Sequence, residues 1–507
     1  MKKLPIGKQD LESLINGGYV YVDKTEIIHR LISTGSVYFL SRPRRFGKSL
    51  LVSTLKEIYS GNKELFKGLW IYDKHIFKKH PIIHIDFSEM GIKEKGAQLA
   101  ITDALTKIAL ENNIVLGSST PGSMFSELIQ KLATPEAKVA ILIDEYDKPI
   151  IDYMNQMDIA KENRDILKNF YAPLKGNDEH IEFLFLTGVS KFSKVSIFSD
   201  LNHLNDITLN DQYATIVGYT EKELYLYFMQ HLALAGQRFD IDKLLPKIKL
   251  WYNGYSWDGL KFVYNPFSIL NFLSQLKFGN YWFATGTPTF LTELMQKRNI
   301  AIEDINNISV NSSVFDKYEL DRLETIALLF QTGYLTIKSY DINTERYLLA
   351  YPNKEVEHSF EEHLLGTYVN KGIDANAVLV NRLLKSLNEK NIELFIKQIK
   401  SLYKNIPYPI IDDDEKYYHT VFHLMLNMMC VNIESEVLTS DGRIDAVIKT
   451  ENYIYVIEFK MGSAKKAIEQ IHKKHYHLKF ANEGRQVILL GIGFDETEKN
   501  IGEWVVA

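Results

Sequence analysis

Eight residues near the amino terminus, Arg42-Pro43-Arg44-Arg45-Phe46-Gly47-Lys48-Ser49, constrain the fold more than any other stretch of the chain. They lie between Val37 to Leu40, an apolar run that predicts a buried strand, and Leu50 to Tyr59, which predicts a helix. A Gly-Lys-Ser turn in a strand–loop–helix setting reads as a phosphate-binding loop, whose backbone N–H groups and helix terminus converge on one anion. Lys48 supplies a point charge, and the Ser49 hydroxyl suits the shell of a Mg2+ ion. The expected nucleotide-lining set is Arg45, Phe46, Gly47, Lys48, Ser49 and Leu50, with ATP as the ligand. Arg42 stands where such loops usually carry glycine, and Pro43 follows it. That departure predicts a stiffer and more cationic turn.

A partner for the loop lies downstream. Lys138 to Glu145 is an apolar run that ends in two acids. A central parallel strand is buried on both faces and reads as continuous apolar sequence. Acids at its carboxyl end emerge where open α/β sheets bind ligands. Asp144 suits the Mg2+ shell together with Ser49, and Glu145 suits polarising the attacking water. Strands are also expected at His80 to Phe87 and at Ile181 to Leu186, completing a doubly wound sheet. After the latter, Thr187-Gly188-Val189-Ser190-Lys191 offers a hydroxyl that could sense a γ-phosphate, or an ordinary strand-end turn.

At 507 residues the chain is long enough for about three domains. Its net charge of -5 excludes a generally basic nucleic-acid coat, so contacts with polyanions must come from local patches. The single cysteine, Cys430, sits in an apolar segment and reads as a buried inert thiol. The first residues lack the apolar core of a signal peptide, and no apolar stretch approaches the roughly 18 residues of a spanning helix. The expectation is a cytoplasmic protein without membrane contact.

The chain carries no fixed-period repeat. Residues 1–215 alternate strand and helix patterns and form the expected ATPase core. From Gly218-Tyr219-Thr220 onward the pattern turns helical, with aromatic turns at Trp251-Tyr252-Asn253-Gly254-Tyr255 and Tyr264-Asn265-Pro266-Phe267-Ser268, best read as packing; 216–318 is assigned as a helical, lid-like region. A helix over Leu320 to Thr332 and strands over Tyr334 to Ser339 and Arg346 to Tyr351 suggest a winged-helix unit in 319–411. Its helix is not notably basic, which favours a spacer over a nucleic-acid reader. The acidic run Asp412-Asp413-Asp414-Glu415 opens a last domain, 412–507.

That last domain carries its own chemistry. A helix from Tyr417 to Met429 is followed by strands near Val431 to Leu438, Arg443 to Lys449 and Tyr453 to Lys460. Glu458 and Lys460, two apart on one strand, point the same way, and Asp445 on the neighbouring strand can meet them. Two carboxylates and a lysine at one point suit a divalent metal and a water nucleophile. The helix Ala464 to Lys479 adds Gln470 and a basic face of Lys465, Lys466, Lys473, Lys474 and Lys479. His419 and His423 have metal-binding spacing but read more simply as packed or solvated, and His472, His475 and His477 read as part of the basic face.

Together these motifs resemble the predicted AAA-ATPase-like proteins that carry a C-terminal PD-(D/E)XK nuclease domain. The resemblance rests on Tyr21-Val22-Asp23-Lys24-Thr25, the loop at 41–49, Ile143-Asp144-Glu145-Tyr146-Asp147 and Thr187 to Phe192. It continues through Tyr264-Asn265-Pro266 and Gln331-Thr332-Gly333-Tyr334-Leu335-Thr336. It ends on Gly442-Arg443-Ile444-Asp445 and Ile457-Glu458-Phe459-Lys460, with Gln470 and Tyr476. In that family Arg42 stands in place of the loop glycine. The resemblance implies a restriction-endonuclease-like α/β domain in which Asp445 and Glu458 bind Mg2+ or Mn2+. It further implies that Lys460 serves the attacking water, Gln470 supports the site and His419 adds a metal ligand. No proline precedes Asp445, a frequent variation.

The fold expected is thus α/β: an N-terminal P-loop ATPase, a helical and winged-helix middle, and the nuclease-like domain. The function expected is an ATP-dependent or ATP-regulated metal nuclease acting on DNA, with a homo-oligomer compatible with the sequence. Its rival is a nucleotide-switched binding protein whose nuclease-like fold only grips nucleic acid or a partner.

Overall fold

A computed structural model of the protein describes residues 1–191, 197, 198, 201, 203–283, 291, 295, 305, 307–316, 318, 319, 322, 323, 325–369, 373–404, 421, 422, 424, 425, 429, 446–474, 480, 484–495 and 497–507. Five parallel strands organise its first part: β1 (Val37–Ser41), β2 (Ile82–Asp86), β3 (Val139–Asp144), β4 (Ile181–Gly188) and β5 (Asn205–Asp206), in the order β2-β3-β4-β1-β5. Every residue of β1 and β3 is buried, as their unbroken apolar sequence requires of interior parallel strands. Edge strand β2 instead leaves His84 exposed. Because all the strands run one way, their carboxyl ends collect the loop after Ser41, Asp86, Asp144 and Gly188 at one rim. Asp86 and Asp144 are direct partners in register.

The region after the sheet packs as helices Glu221–Arg238, Ile241–Tyr252 and Pro266–Gln275, tied by the short antiparallel pair β6 (Tyr219–Thr220) and β7 (Val263–Tyr264). Thr220 caps the first of these: its hydroxyl accepts from Glu223 N–H, while Glu223 accepts from Thr220 N–H. Leu224, Phe228, Ile248, Tyr252 and Phe272 form the shared core, and Val20 and Val22 from the amino-terminal segment enter it. The aromatic turns are therefore packing elements, with Tyr252, Tyr255 and Tyr264 buried.

The hairpin expected as a wing is present with altered bounds. Strands β11 (Thr336–Asp341) and β12 (Arg346–Ala350) form the hairpin, and β8 (Ile308–Val310) adds a third strand beside β12. The preceding helix is Thr325–Thr332; short strand β10 (Arg322–Leu323), paired with β9 (Tyr318–Glu319) just before it, occupies part of the stretch expected to be helical. Mutual hydrogen bonds between Ser256 and Thr336 fasten the wing sheet to the aromatic turn.

Residues Met1–Phe290 and Asn306–Glu355 make one compact unit, and Leu291–Ile305 with Val356–Ala507 make another. This division falls inside the expected 319–411 segment: the wing goes with the ATPase-like unit, and the helices after it go with the second. Helix Lys354–Val369 begins in the first unit and continues in the second. The second unit contains helices Ile373–Asn388 and Ile392–Lys404 and a sheet of β13 (Ala446–Lys449), β14 (Tyr453–Met461), β15 (Gln486–Asp495) and β16 (Asn500–Val506), in that order. β14 and β15 are parallel, while the outer strands run antiparallel to their neighbours. Helix Ala464–Lys473 crosses between β14 and β15 and lies so close on the sheet that a Cβ at Gly491 would run into the carbonyl of Ala464. No helix among the described residues is long and apolar enough to cross a membrane.

Candidate functional site

The loop after β1 turns on two left-handed residues, Arg45 (φ 67°) and Gly47 (φ 93°), and Gly47 opens the helix Lys48–Tyr59. No side chain caps that helix, so its first N–H groups remain directed at the loop's concavity. Lys48 is buried and donates to the carbonyls of Arg42 (3.0 Å) and Pro43 (3.1 Å). Burial lowers its pKa, opposed by the nearby acids Asp144, Glu145 and Asp147. Those carbonyls hold the ammonium in place at the loop, ready to exchange them for phosphate oxygens.

Asp144 ends β3 almost wholly buried. Burial pushes its carboxyl up to about 6, countered by the Ser49 hydroxyl and the Lys48 charge. A carboxylate held at such cost beside a hydroxyl is the donor set a Mg2+ ion would relieve, so these residues fit a Mg–nucleotide. Glu145 follows in a left-handed conformation (φ 49°), with its N–H donating to Asp144 Oδ1 at 2.9 Å. The turn aims Glu145 toward the cavity, where its Oε2 stands 3.9 Å from Lys148 Nζ. That cavity, about 400 Å3, is lined by Arg45 through Leu50, Glu145, the amino-terminal strip Val20-Tyr21-Val22, the turn Ile216 to Tyr219, and Phe267.

One expectation about the loop is corrected. Arg42 does not add charge toward the phosphates: its guanidinium turns inward, fully buried, and donates to the carbonyls of Ser41 (2.8 Å), Thr208 (2.8 Å) and Tyr213 (3.3 Å). It also stacks on Trp257 at 3.9 Å. Of the two readings left open for the turn after β4, the strand-end one fits, since neither Thr187 nor Ser190 lines the cavity. Thr187 donates to the Leu40 carbonyl, and Ser190 donates to Asp147, which also accepts the N–H groups of Val189 and Ser190. Both hydroxyls stitch strand ends together. Phe46 meets the cavity chiefly through its backbone, since its ring is buried against Tyr255 and Trp257.

The structure adds residues that motif reading does not single out. Lys24 is buried, bridging Glu223 (2.7 Å) and the carbonyl of Thr215 (2.9 Å), and so ties the amino-terminal strip to the helical region across the cavity. Trp282 Nε1 donates to the Arg44 carbonyl at 2.9 Å. Gly333, with φ 93°, sits where a Cβ would stand 2.7 Å from Pro43. The Lys24 stretch and the Gly333 stretch carry part of the family resemblance, the only signal in the sequence that could have pointed to them.

In the second unit, β14 holds Glu458 and Lys460 on one face. Glu458 is buried, Lys460 is partly exposed, and Lys460 Nζ stands 3.6 Å from Glu458 Oε1. Gln470, from the helix above, donates to the same oxygen. Glu458, Lys460 and Gln470 are thus brought together. Asp445 and His419 lie outside the described residues, as do His423, His475, His477, Tyr476 and Lys479. The described part of β13 starts at Ala446, opposite Ile457. Among the described residues no group of three or more His, Cys, Asp and Glu could hold a metal. One buried carboxylate with a lysine and an amide fits a metal site only with a further acidic ligand. Lys465, Lys466, Lys473 and Lys474 are exposed on the helix face opposite buried Ala464, Ala467 and Ile471.

Comparison with known proteins agrees with both halves. A family model described as "Predicted AAA-ATPase" matches residues 5–198. A model of the PD-(D/E)XK nuclease superfamily matches residues 413–504. The chain is also similar to a protein of Azotobacter chroococcum mcd 1 named "Uncharacterized protein in vnfD 5'region", with 37% identity over 521 residues that cover 100% of this chain and 99% of the relative.

Proposed function

Because the chain belongs to the family of predicted AAA-ATPases that carry a PD-(D/E)XK nuclease domain, we propose that it is an ATP-regulated, metal-dependent nuclease acting on DNA. The observation that carries the first half is the convergence of Lys48, Ser49 and Glu145 on one cavity, with buried Asp144 hydrogen-bonded to Ser49. Lys48 and the loop N–H groups bind the β- and γ-phosphates, Ser49 and Asp144 hold Mg2+, and Glu145 orients the attacking water and takes its proton. The bound metal would neutralise phosphate charge.

The second half is supported by the Glu458–Lys460–Gln470 cluster next to a lysine-studded helix. In this reading Asp445 and Glu458 hold Mg2+ or Mn2+, with His419 as a further ligand. Lys460 orients the water and steadies the phosphate, and Gln470 fixes the Glu458 carboxylate. Lys465, Lys466, Lys473 and Lys474 grip the DNA backbone.

Calorimetry and cleavage assays on the full chain test both halves. Lys48→Ala is expected to abolish ATP binding, and Glu145→Gln to retain binding while stopping turnover. Unchanged ATP affinity in Lys48→Ala would remove the phosphate-loop reading. Tight DNA binding without cleavage by the wild type, with Mg2+ or Mn2+ and with or without ATP, would favour a nucleotide-switched binding protein instead.

A further inference from the structure

Among the described residues, six cationic side chains line the nucleotide cavity, and five of them are already engaged. Lys8 stands over the Tyr19 ring at 5.4 Å, and Lys24 pairs with Glu223 at 2.7 Å. Arg45 covers the Phe267 ring at 4.9 Å, and Lys48 is held by loop carbonyls. Lys148 lies 3.3 Å from Asp152 and 3.9 Å from Glu145. The sixth, Arg44, is exposed, and its side chain makes no ion pair or hydrogen bond among the described residues.

Its backbone, by contrast, is clamped. The Arg44 carbonyl accepts from Trp282 Nε1 at 2.9 Å, and Pro43 before it is wedged against Gly333. A fixed Cα with an uncommitted guanidinium, lining the same cavity as Lys48, Ser49 and Glu145 and close enough to act on the Lys48 charge, is placed to meet a charge that appears only during reaction. Arg42 and Arg44 therefore have opposite assignments within one loop: the first is spent inside the fold, and the second is left for the cavity.

We infer that Arg44 supplies, in cis and from within the phosphate loop itself, the cation that meets the charge developing on the transferred phosphoryl group. This rests on the ATPase reading above. In the step concerned, a water oxygen bonds to the γ-phosphorus and its proton passes to Glu145. The bond from that phosphorus to the β–γ bridging oxygen breaks, and its electron pair stays with ADP. The guanidinium fork matches two phosphoryl oxygens at once, which an ammonium cannot.

The test compares the full-length wild type with Arg44→Ala and Arg44→Lys, using calorimetry with Mg·ADP alone and with Mg·ADP plus aluminium fluoride, alongside ATP turnover. Arg44→Ala is expected to bind Mg·ADP as the wild type does. It should lose the extra tightness that aluminium fluoride confers, and lose roughly 10³-fold or more in turnover. Arg44→Lys should recover only part of both. Turnover per chain in the wild type should hold constant on dilution. Wild-type behaviour of Arg44→Ala with aluminium fluoride would overturn the inference. So would equal weakening toward Mg·ADP, which would make Arg44 an ordinary ground-state ligand, and so would a wild-type rate that collapses on dilution. A wild type that binds no Mg·ADP at all would instead sink the ATPase reading, and this inference with it.

Discussion

Single residues in this chain are legible as far as their neighbours in sequence decide their role. Lys48, Ser49, Asp144 and Glu145 sit at strand ends or helix starts, where local pattern alone fixes which way they face. Arg42 does not, because the direction of a long side chain depends on what waits for it, here Trp257 and the carbonyls of Thr208 and Tyr213. Glu355 is another residue no pattern would single out. It is buried, and its Oε1 accepts from Trp282 N–H at 2.7 Å. Burial pushes its carboxyl up to about 7 from an ordinary 4.5. The folded state thus holds this proton more tightly than the unfolded chain does. Its contribution is complete below the unfolded value and is lost as pH rises through the folded one. Urea unfolding between about pH 5 and 8 should show stability falling by up to about 3 kcal/mol on this account, and Glu355→Gln should flatten that fall. At the nuclease-like site, residues acting as a unit lose function together. Asp445→Ala is expected to remove nearly all metal-dependent cleavage, with Glu458→Ala on top costing little more; wild-type cleavage by Asp445→Ala would place the centre elsewhere.

Elements were legible by period and missed where a short segment is shaped by distant contacts. The buried strands β1, β3 and β4 and the helix after the loop follow directly from their apolar patterns. The stretch from Leu320 reads as the start of a helix, yet Arg322 and Leu323 pair as β10 with β9 before them. The wing reads as a spacer, yet its helix ends at Thr332 against the phosphate loop, through Gly333. Contacts between residues nearly 300 positions apart leave no trace in local periodicity. That contact can be tested at the level of the element. Gly333→Ala adds one methyl at a left-handed position and drives it into Pro43, with no change to any cavity-lining side chain. Overpacking of this kind costs ~1–3 kcal/mol, so ATP affinity measured by calorimetry should fall roughly tenfold. Unaltered affinity would show that the wing helix and the loop move independently.

At the scale of the whole molecule, the matched ATPase segment and the physical unit that completes its site have different extents. Residues 5–198 match the family model, but the loop within them is held by Trp257, Trp282 and Gly333. A protein cut to residues 1–215 contains the phosphate loop and both Asp144 and Glu145, yet is expected to bind ATP far more weakly than the intact chain; equal affinity in a titration would show that the clasp is dispensable. The clasp also imposes an order in time. A ribosome adds ~5–20 residues per second, so roughly 15–60 s separate the appearance of Lys48 from that of Gly333. Until then the growing chain carries a phosphate loop with nothing to brace it. The acids proposed for cleavage, Asp445 and Glu458, are made later still. Every nascent chain that has gained them has already received all the parts of its nucleotide site, so a cutting domain never emerges ahead of the module proposed to govern it.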